Sequence, residues 1–290
     1  MSAIALTIPA RARDIGGFAV GRVLPFAKRR MVGPFLFLDH MGPKDFAPGE
    51  GVDVGPHPHI GLATVTYLLD GVLMHRDSLG VEQRIAAGDV NWMTAGRGIA
   101  HSERTPAPER GAGHRLHGLQ SWVALPAAEE DCAPAFVHHP AATLPRIAQA
   151  GARAVLIAGR AFGETSPVAF PAPILYAHVT LAPGSALPLP EAEERAAYVV
   201  EGAAAVDGER VEARHLAVLT EGAHTLTAPA DGPGATVMVL GGAAFPEGRH
   251  IWWNLVSTDR GKIEAAKDAW RAGTFPQVPG ETDALPLPEA

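Results

Sequence analysis

Cysteine is almost absent from this sequence: Cys132 is the single one in 290 residues. No intramolecular disulfide can form, a cysteine-ligated structural zinc site is excluded, and the usage fits a reducing compartment. Cys132 follows Asp131 and precedes Ala133-Pro134, with no neighbouring cation to favour a thiolate, so it reads as structural. Positive charge is also scarce. Lys and Arg number 24 against 31 Asp and Glu, a formal net charge of −7, which gives no electrostatic reason for binding nucleic acid or an anionic membrane. The one basic cluster, Lys28-Arg29-Arg30, reads as a solvated turn. No apolar run approaches the ~20 residues of a membrane span. The stretch from Met1 to Ile15, interrupted by Arg11 and Arg13, lacks the basic start, long apolar centre and cleavage site of a secretory signal. The expectation is a soluble protein of the cytoplasm.

What the chain does have is apolar content and turns. Hydrophobic residues make up 47% of it, with 32 Gly and 26 Pro spread along its length. The length suits two domains, and the spread of Gly and Pro suits frequent turns between short strands. Residues 62–69, Leu-Ala-Thr-Val-Thr-Tyr-Leu-Leu, are β-branched and aromatic and run into Asp70-Gly71, a strand followed by a turn. Further strands are expected at Val72–Leu79, Glu82–Ile85 and Val90–Met93. The glycine-rich loop Ala95-Gly96-Arg97-Gly98 then leads toward His101 and Glu103. This spacing indicates an antiparallel sandwich or barrel. Near the end, Arg249 to Val256 reads as extended. Ser257-Thr258-Asp259 offers an N-cap, residues 260–271 read as a helix, and Gly273 stands where it should stop. Ile263, Ala266 and Trp270 share one face of that helix, which should pack on the body. The proline-bearing tail from Pro276 onward reads as extended.

The theme occurs twice. Tyr198-Val-Val-Glu-Gly202 matches Tyr67-Leu-Leu-Asp-Gly71, and Arg210 to Gly222 matches Arg84 to Gly96. The displacement of the first match carries His57 onto Pro188 and His59 onto Pro190. That of the second carries His101 onto Thr227 and Glu103 onto Pro229. The chain therefore reads as an internal duplication in which only the first copy holds the histidines. The expected domains are residues 1–138, metal-binding, and residues 139–290, a degenerate copy with the helix and tail.

His57-Pro58-His59 and His101-Ser102-Glu103 each place two metal-ligand side chains two residues apart, on one face of a strand. Facing each other inside a barrel, two such strands would converge three imidazoles and a carboxylate. Neutral imidazole and carboxylate suit iron, nickel, copper, zinc, manganese or cobalt, and positions left open on the ion would admit water, dioxygen or a substrate. His114, His117, His138 and His139 read as surface or turn residues. His75 could line the pocket behind the ligands.

The segments Gly33-Pro-Phe-Leu-Phe-Leu-Asp-His40, Pro56-His-Pro-His-Ile-Gly61 with Thr64 to Leu68, Gly88 to Glu103, and Ile251-Trp-Trp-Asn-Leu-Val256 resemble the pirin family of the cupin superfamily. The resemblance implies an all-β bicupin: two stacked antiparallel barrels of jelly-roll type with a short C-terminal helix, and metal in the N-terminal barrel only. It implies His57, His59, His101 and Glu103 as ligands to one divalent metal, Fe(II) foremost, in a monomer. Many cupins carry a glutamate four residues after the second histidine. Here that residue is Ala63, so the carboxylate ligand falls to Glu103. The implied activity is that of a quercetin 2,3-dioxygenase acting on a flavonol and dioxygen, with Glu103 as general base and an aromatic substrate among Phe35, Phe37, Leu62 and Trp92. The alternatives are a metal- and redox-dependent regulator binding a transcription factor or enzyme, without contact to DNA, and a cupin acting on another small molecule.

Overall fold

A computed structural model of the protein describes residues 2–15 and 18–289. Met1 and Ala290, which end the two expected domains, lie outside the described residues, as do Gly16 and Gly17. Most of the chain is strand, and the chain divides into two compact units. Unit 1 comprises Met1–Ala12, Gly21–His40 and Ala142–Phe245; unit 2 comprises Arg13–Val20, Met41–Ala141 and Pro246–Ala290. The compact units interleave along the chain on either side of residue 138. Two long-range connections account for the interleaving. The first strand, Ile4–Pro9, pairs antiparallel with His215–Leu219 and so completes a sheet of unit 1. The C-terminal helix and tail pack within unit 2, where Ile263, Ala266, Phe275 and Val278 form one buried cluster with Ile60, Ala100 and Leu255.

In unit 2, Ala135–His139, Val90–Thr94, Leu62–Asp70 and His114–Ala124 lie side by side in that order, all antiparallel. A second, four-stranded sheet has the order Asp53–His59, Ile99–Arg104, Val72–Asp77, Glu82–Ala86. The two sheets share a core: Leu68 and Leu116 of the first meet Val52, Leu73 and Ile85 beside the second, with Phe18, Met41 and Phe46. Alternation along each strand produces this. In Val72–Asp77, Leu73, His75 and Asp77 are buried while Val72, Met74 and Arg76 are not.

Unit 1 repeats the plan. Its main sheet runs Ile4–Pro9, His215–Leu219, Glu194–Val206, Ala235–Gly242, Ile174–Leu181, Ala152–Ala161, Arg146–Gln149. Its second sheet joins Ala186–Pro188, Thr225–Thr227, the end of Glu194–Val206, and Glu209–Glu212. In this sheet Pro188 is exposed and Pro190, Thr227 and Pro229 are half-buried; the core positions are Leu187, Leu189, Leu226 and Ala228. The residues that simple displacement set opposite the histidines are thus one place off the inward face. A one-residue slip is enough to do this, because the side-chain period of a strand is two.

The C-terminal helix spans Arg260–Arg271, with the Asp259 side chain accepting from the Gly261 amide and Gly273 at φ +68° just past its end. A six-residue helix, Ala107–Ala112, is an element with no sequence forecast; it follows Pro106. The segment from Arg249 forms a hairpin, His250–Trp252 with Leu255–Ser257, turning at Trp253 and Asn254. No helix among the described residues is long and apolar enough to cross a membrane.

Candidate metal centre

The four-stranded sheet of unit 2 sets the site. His101 is the register partner of His57 on one side and of Asp77 on the other, and Glu103 is the partner of His75. Directly opposed residues of an antiparallel pair share a face, so these five side chains gather on one side of the sheet. His59, two residues beyond His57, joins them. His57, His59 and His101 each offer a ring nitrogen, and the three atoms lie within 4.8 Å of one another. The rings are 6%, 0% and 1% exposed, so water does not compete for these nitrogens.

The other nitrogen of each ring is already engaged. His57 Nδ1 lies 2.9 Å from the Gly55 carbonyl oxygen and His59 Nδ1 lies 3.0 Å from that of Asn254. A carbonyl only accepts, so both Nδ1 atoms carry the proton and donate it, leaving each Nε2 with a bare lone pair. Asn254 reaches this place because its hairpin docks on Ile60, whose carbonyl accepts from the Val256 amide. Gly61 beside it has φ +69°, and a Cβ there would strike the Val256 carbonyl, so glycine is required for the approach. Burial drives the His57 pKa down to about 4, partly opposed by the Gly55 carbonyl and assisted by His75. Burial, then neighbouring imidazoles, pushes His59 and His101 well below the usual histidine range. At neutral pH the three rings are uncharged bases.

His59 Nε2 and His101 Nε2 stand 3.1 Å apart. Were His101 Nε2 also without its proton, two lone pairs would face each other at that distance, a conflict that a shared cation resolves. Nitrogens each about 2.1 Å from one ion are about 3.0 Å apart at a right angle and about 3.4 Å apart at the tetrahedral angle. The donor set, the convergence and the 3.1 Å separation therefore fit a divalent transition metal of borderline softness.

Glu103 is brought to the same face but not into the group. Its Oε1 accepts a hydrogen bond of 3.0 Å from Thr66 Oγ1, which also lies 2.8 Å from Gln120 Oε1. One hydroxyl carries one proton, so the arrangement closes when the Gln120 amide nitrogen occupies that position, donating to Thr66, which donates to Glu103. Burial raises the Glu103 pKa, with His75 and the Thr66 hydroxyl opposing. A bulge interrupts the pairing of its strand with Asp53–His59 between His101 and Glu103, and regular alternation does not foresee it.

The remaining forecasts divide. His75 does stand behind the ligands, its Nδ1 3.3 Å from His101 Nδ1. Leu62 and Trp92 are buried in unit 2, but Phe35 and Phe37 lie in unit 1, Phe35 against Tyr176 and Phe37 under the Arg22 guanidinium. Their strand, Phe35–Phe46, passes from one unit to the other along the chain, and local pattern does not reveal that. The aromatic rings at the site are instead Trp122, edge-on to His59 at 5.2 Å, and Phe136, stacked on His75 at 4.4 Å. His114 stacks on Phe46, His117 is buried, and His138 bonds Asn91 from a strand, so none of the three is a loose surface residue. Cys132 is half-buried, and burial with Glu129 raises its pKa. Asp77 escaped the sequence reading although it stands two residues from His75, the same spacing that marks His57 and His59. On the opposite face, Glu281 accepts from Ser102 and Arg104, Asp283 accepts from Arg104, and the Leu285 amide donates to the Pro56 carbonyl, so the tail ties the outer side of the two histidine-bearing strands.

Two antiparallel β units of one plan, one with a buried histidine triad and one without, define a bicupin. The sequence matches the Pirin family over residues 17–123 and the family described as Pirin C-terminal cupin domain over residues 176–276. A pirin-like protein of Caulobacter vibrioides is 47% identical across 99% of this chain and 100% of its own length. This chain belongs to the pirin family. Among solved structures, a quercetin 2,3-dioxygenase from Acinetobacter baumannii is similar with a TM-score of 0.91 and 32% identity, covering 98% of this chain and 95% of that one. The Escherichia coli pirin YhhW in complex with nickel(II) shares the fold, with a TM-score of 0.62 and 21% identity over 82% of this chain and 99% of that one.

Proposed function

We propose that the protein is a metal-dependent dioxygenase that opens the central ring of flavonols such as quercetin. In this reading His57, His59 and His101 hold one divalent transition metal, Fe(II) foremost, with Glu103 as fourth ligand and general base. The observation that carries it is the buried convergence of three imidazole nitrogens within 4.8 Å of one another, with the Nδ1 protons of His57 and His59 committed outward. Similarity to the Acinetobacter baumannii quercetin 2,3-dioxygenase supports the reaction class.

When bound, the metal would supply Lewis acidity toward the flavonol 3-oxygen and a redox-capable centre toward dioxygen. The chain contributes orientation and proton handling. The Gly55 and Asn254 carbonyls fix the tautomers of His57 and His59, so two lone pairs meet the ion without a prior proton loss. Glu103, whose Oε1 accepts from Thr66, takes the 3-hydroxyl proton as general base. The indole of Trp122 and the ring of Phe136 give the surroundings an aromatic character suited to a flat substrate. Per ring opened, one dioxygen is consumed and one carbon monoxide leaves, so no further reductant is needed.

The test is to load purified protein with iron, nickel, copper, manganese and cobalt in turn. Quercetin loss is then followed in air at its visible absorption band, with carbon monoxide trapped. Turnover with at least one metal is expected, and absence of turnover with all of them overturns the dioxygenase reading.

A further inference from the structure

The polar chain behind His101 does not end at His75. His75 Nε2 lies 3.0 Å from Asp77 Oδ2, and Asp77 Oδ1 accepts from the backbone amides of Leu79 at 2.8 Å and Val81 at 3.2 Å. All three side chains are interior, Asp77 at 0%, His101 at 1% and His75 at 3% exposed. Phe136 lies nearly parallel to the His75 ring, at 22°, and holds its rotation. In the sheet of the same strand order in unit 1, the interior positions of the strand end and its neighbours are Ala204, Val206, Val211 and Leu226. Beside that sheet Asp207 Oδ2 lies 2.7 Å from His224 Nδ1, but His224 Nε2 leads to the Thr220 carbonyl and not to a second imidazole.

We infer that Asp77 and His75 are positioning residues for the metal centre: a carboxylate–imidazole–imidazole relay that fixes which nitrogen of His101 is bare. The inference rests on the metal reading above. The Asp77 carboxylate accepts the Nε2 proton of His75, whose Nδ1 is then bare and accepts the Nδ1 proton of His101. His101 Nε2, the atom facing His59 Nε2, is left with its lone pair toward the ion. His57 and His59 reach the same state through backbone carbonyls; His101 has this side-chain relay in their place. The anionic end of the relay also makes His101 a stronger donor than a ring bonded to a neutral carbonyl.

The relay has a direction, and Asp77→Asn reverses it at constant shape. The Leu79 and Val81 amides require an oxygen, so the Asn amide group must turn its NH2 to His75. His75 Nε2 then accepts, its Nδ1 carries the proton and donates to His101 Nδ1, and the last proton is driven onto His101 Nε2, where the metal should bind. His75→Gln keeps an oxygen able to accept from His101, whereas His75→Phe keeps the ring volume and loses the acceptor.

The experiment measures Co(II) affinity of the full chain by chelator competition, together with the visible d–d spectrum and the melting temperature. Asp77→Asn is expected to weaken Co(II) binding roughly 10- to 100-fold, the range for lost outer partners of metal ligands, and to shift the spectrum. His75→Gln should remain within a few-fold of wild type. Wild-type affinity and spectrum in Asp77→Asn overturn the relay while leaving the metal reading standing. A wild-type protein that takes no Co(II) overturns both. If Asp77→Asn does not fold, His75→Phe against His75→Gln decides: at least about tenfold weaker binding in the Phe variant is expected, and equal binding overturns the inference.

Discussion

The sheet formed by Asp53–His59, Ile99–Arg104, Val72–Asp77 and Glu82–Ala86 in unit 2 has a counterpart of the same order in unit 1, built from Ala186–Pro188, Thr225–Thr227, the end of Glu194–Val206 and Glu209–Glu212. The first turns His57, His59, His101, His75 and Asp77 inward; the second turns Leu187, Leu226, Ala204, Val206 and Val211 inward. One plan of hydrogen-bonded strands thus closes equally well over apolar or over basic side chains. The apolar version stabilises the barrel directly. The histidine version places five polar groups where each needs a partner. The backbone carbonyls that partner His57 and His59 leave the Nε2 lone pair of each ring bare. The difference teaches that the buried imidazoles are not a requirement of the fold and that their chemistry is what unit 2 adds.

The most drastic way to break the comparison is to make the first sheet resemble the second. His57→Leu, His59→Leu and His101→Leu combined should abolish metal binding, measured by elemental analysis, while the strand-type circular dichroism spectrum persists. Next in size, Glu103→Gln should lower turnover by about 10²- to 10⁴-fold, the usual share of a general base, in a flavonol assay with metal supplied in excess. Unchanged turnover would remove Glu103 as the base. In the apolar sheet, Leu187→Ala should cost about 2–5 kcal/mol of stability in urea unfolding, with metal content per chain as in wild type. The smallest effect is expected from Thr66→Val. It removes the hydroxyl that bonds Glu103, a loss of roughly 0.5–1.5 kcal/mol, seen as a several-fold decrease in kcat with metal content retained.

Much of unit 2 was legible because its signals are local. Strand alternation, the Asp70-Gly71 turn, the Asp259 cap and the paired His-x-His and His-x-Glu spacings each lie within a few residues. Relations between distant segments were not legible. Nothing near Ile4 announces that its strand pairs with His215–Leu219, and nothing near Asn254 announces a carbonyl for His59. The His40 of the Gly33–His40 motif bonds the Tyr198 hydroxyl at 2.8 Å inside unit 1. The duplication was visible, but its alignment fell one residue off the inward face at Pro188 and Pro190, because a match anchored on Tyr67 and Tyr198 does not register single-residue changes before the strand. Asp77 lies within reach of the two-residue rule, two residues after His75 and beside a turn. It caps that turn with one oxygen and bonds His75 with the other.

Elemental analysis of the purified protein beside its His57→Ala variant tests the central claim most directly. Wild type carrying close to one transition-metal ion per chain, with the ion lost in the variant, is the predicted result. Equal metal content in the two proteins, or none in wild type even after loading, would contradict the assignment of this histidine sheet as a metal centre.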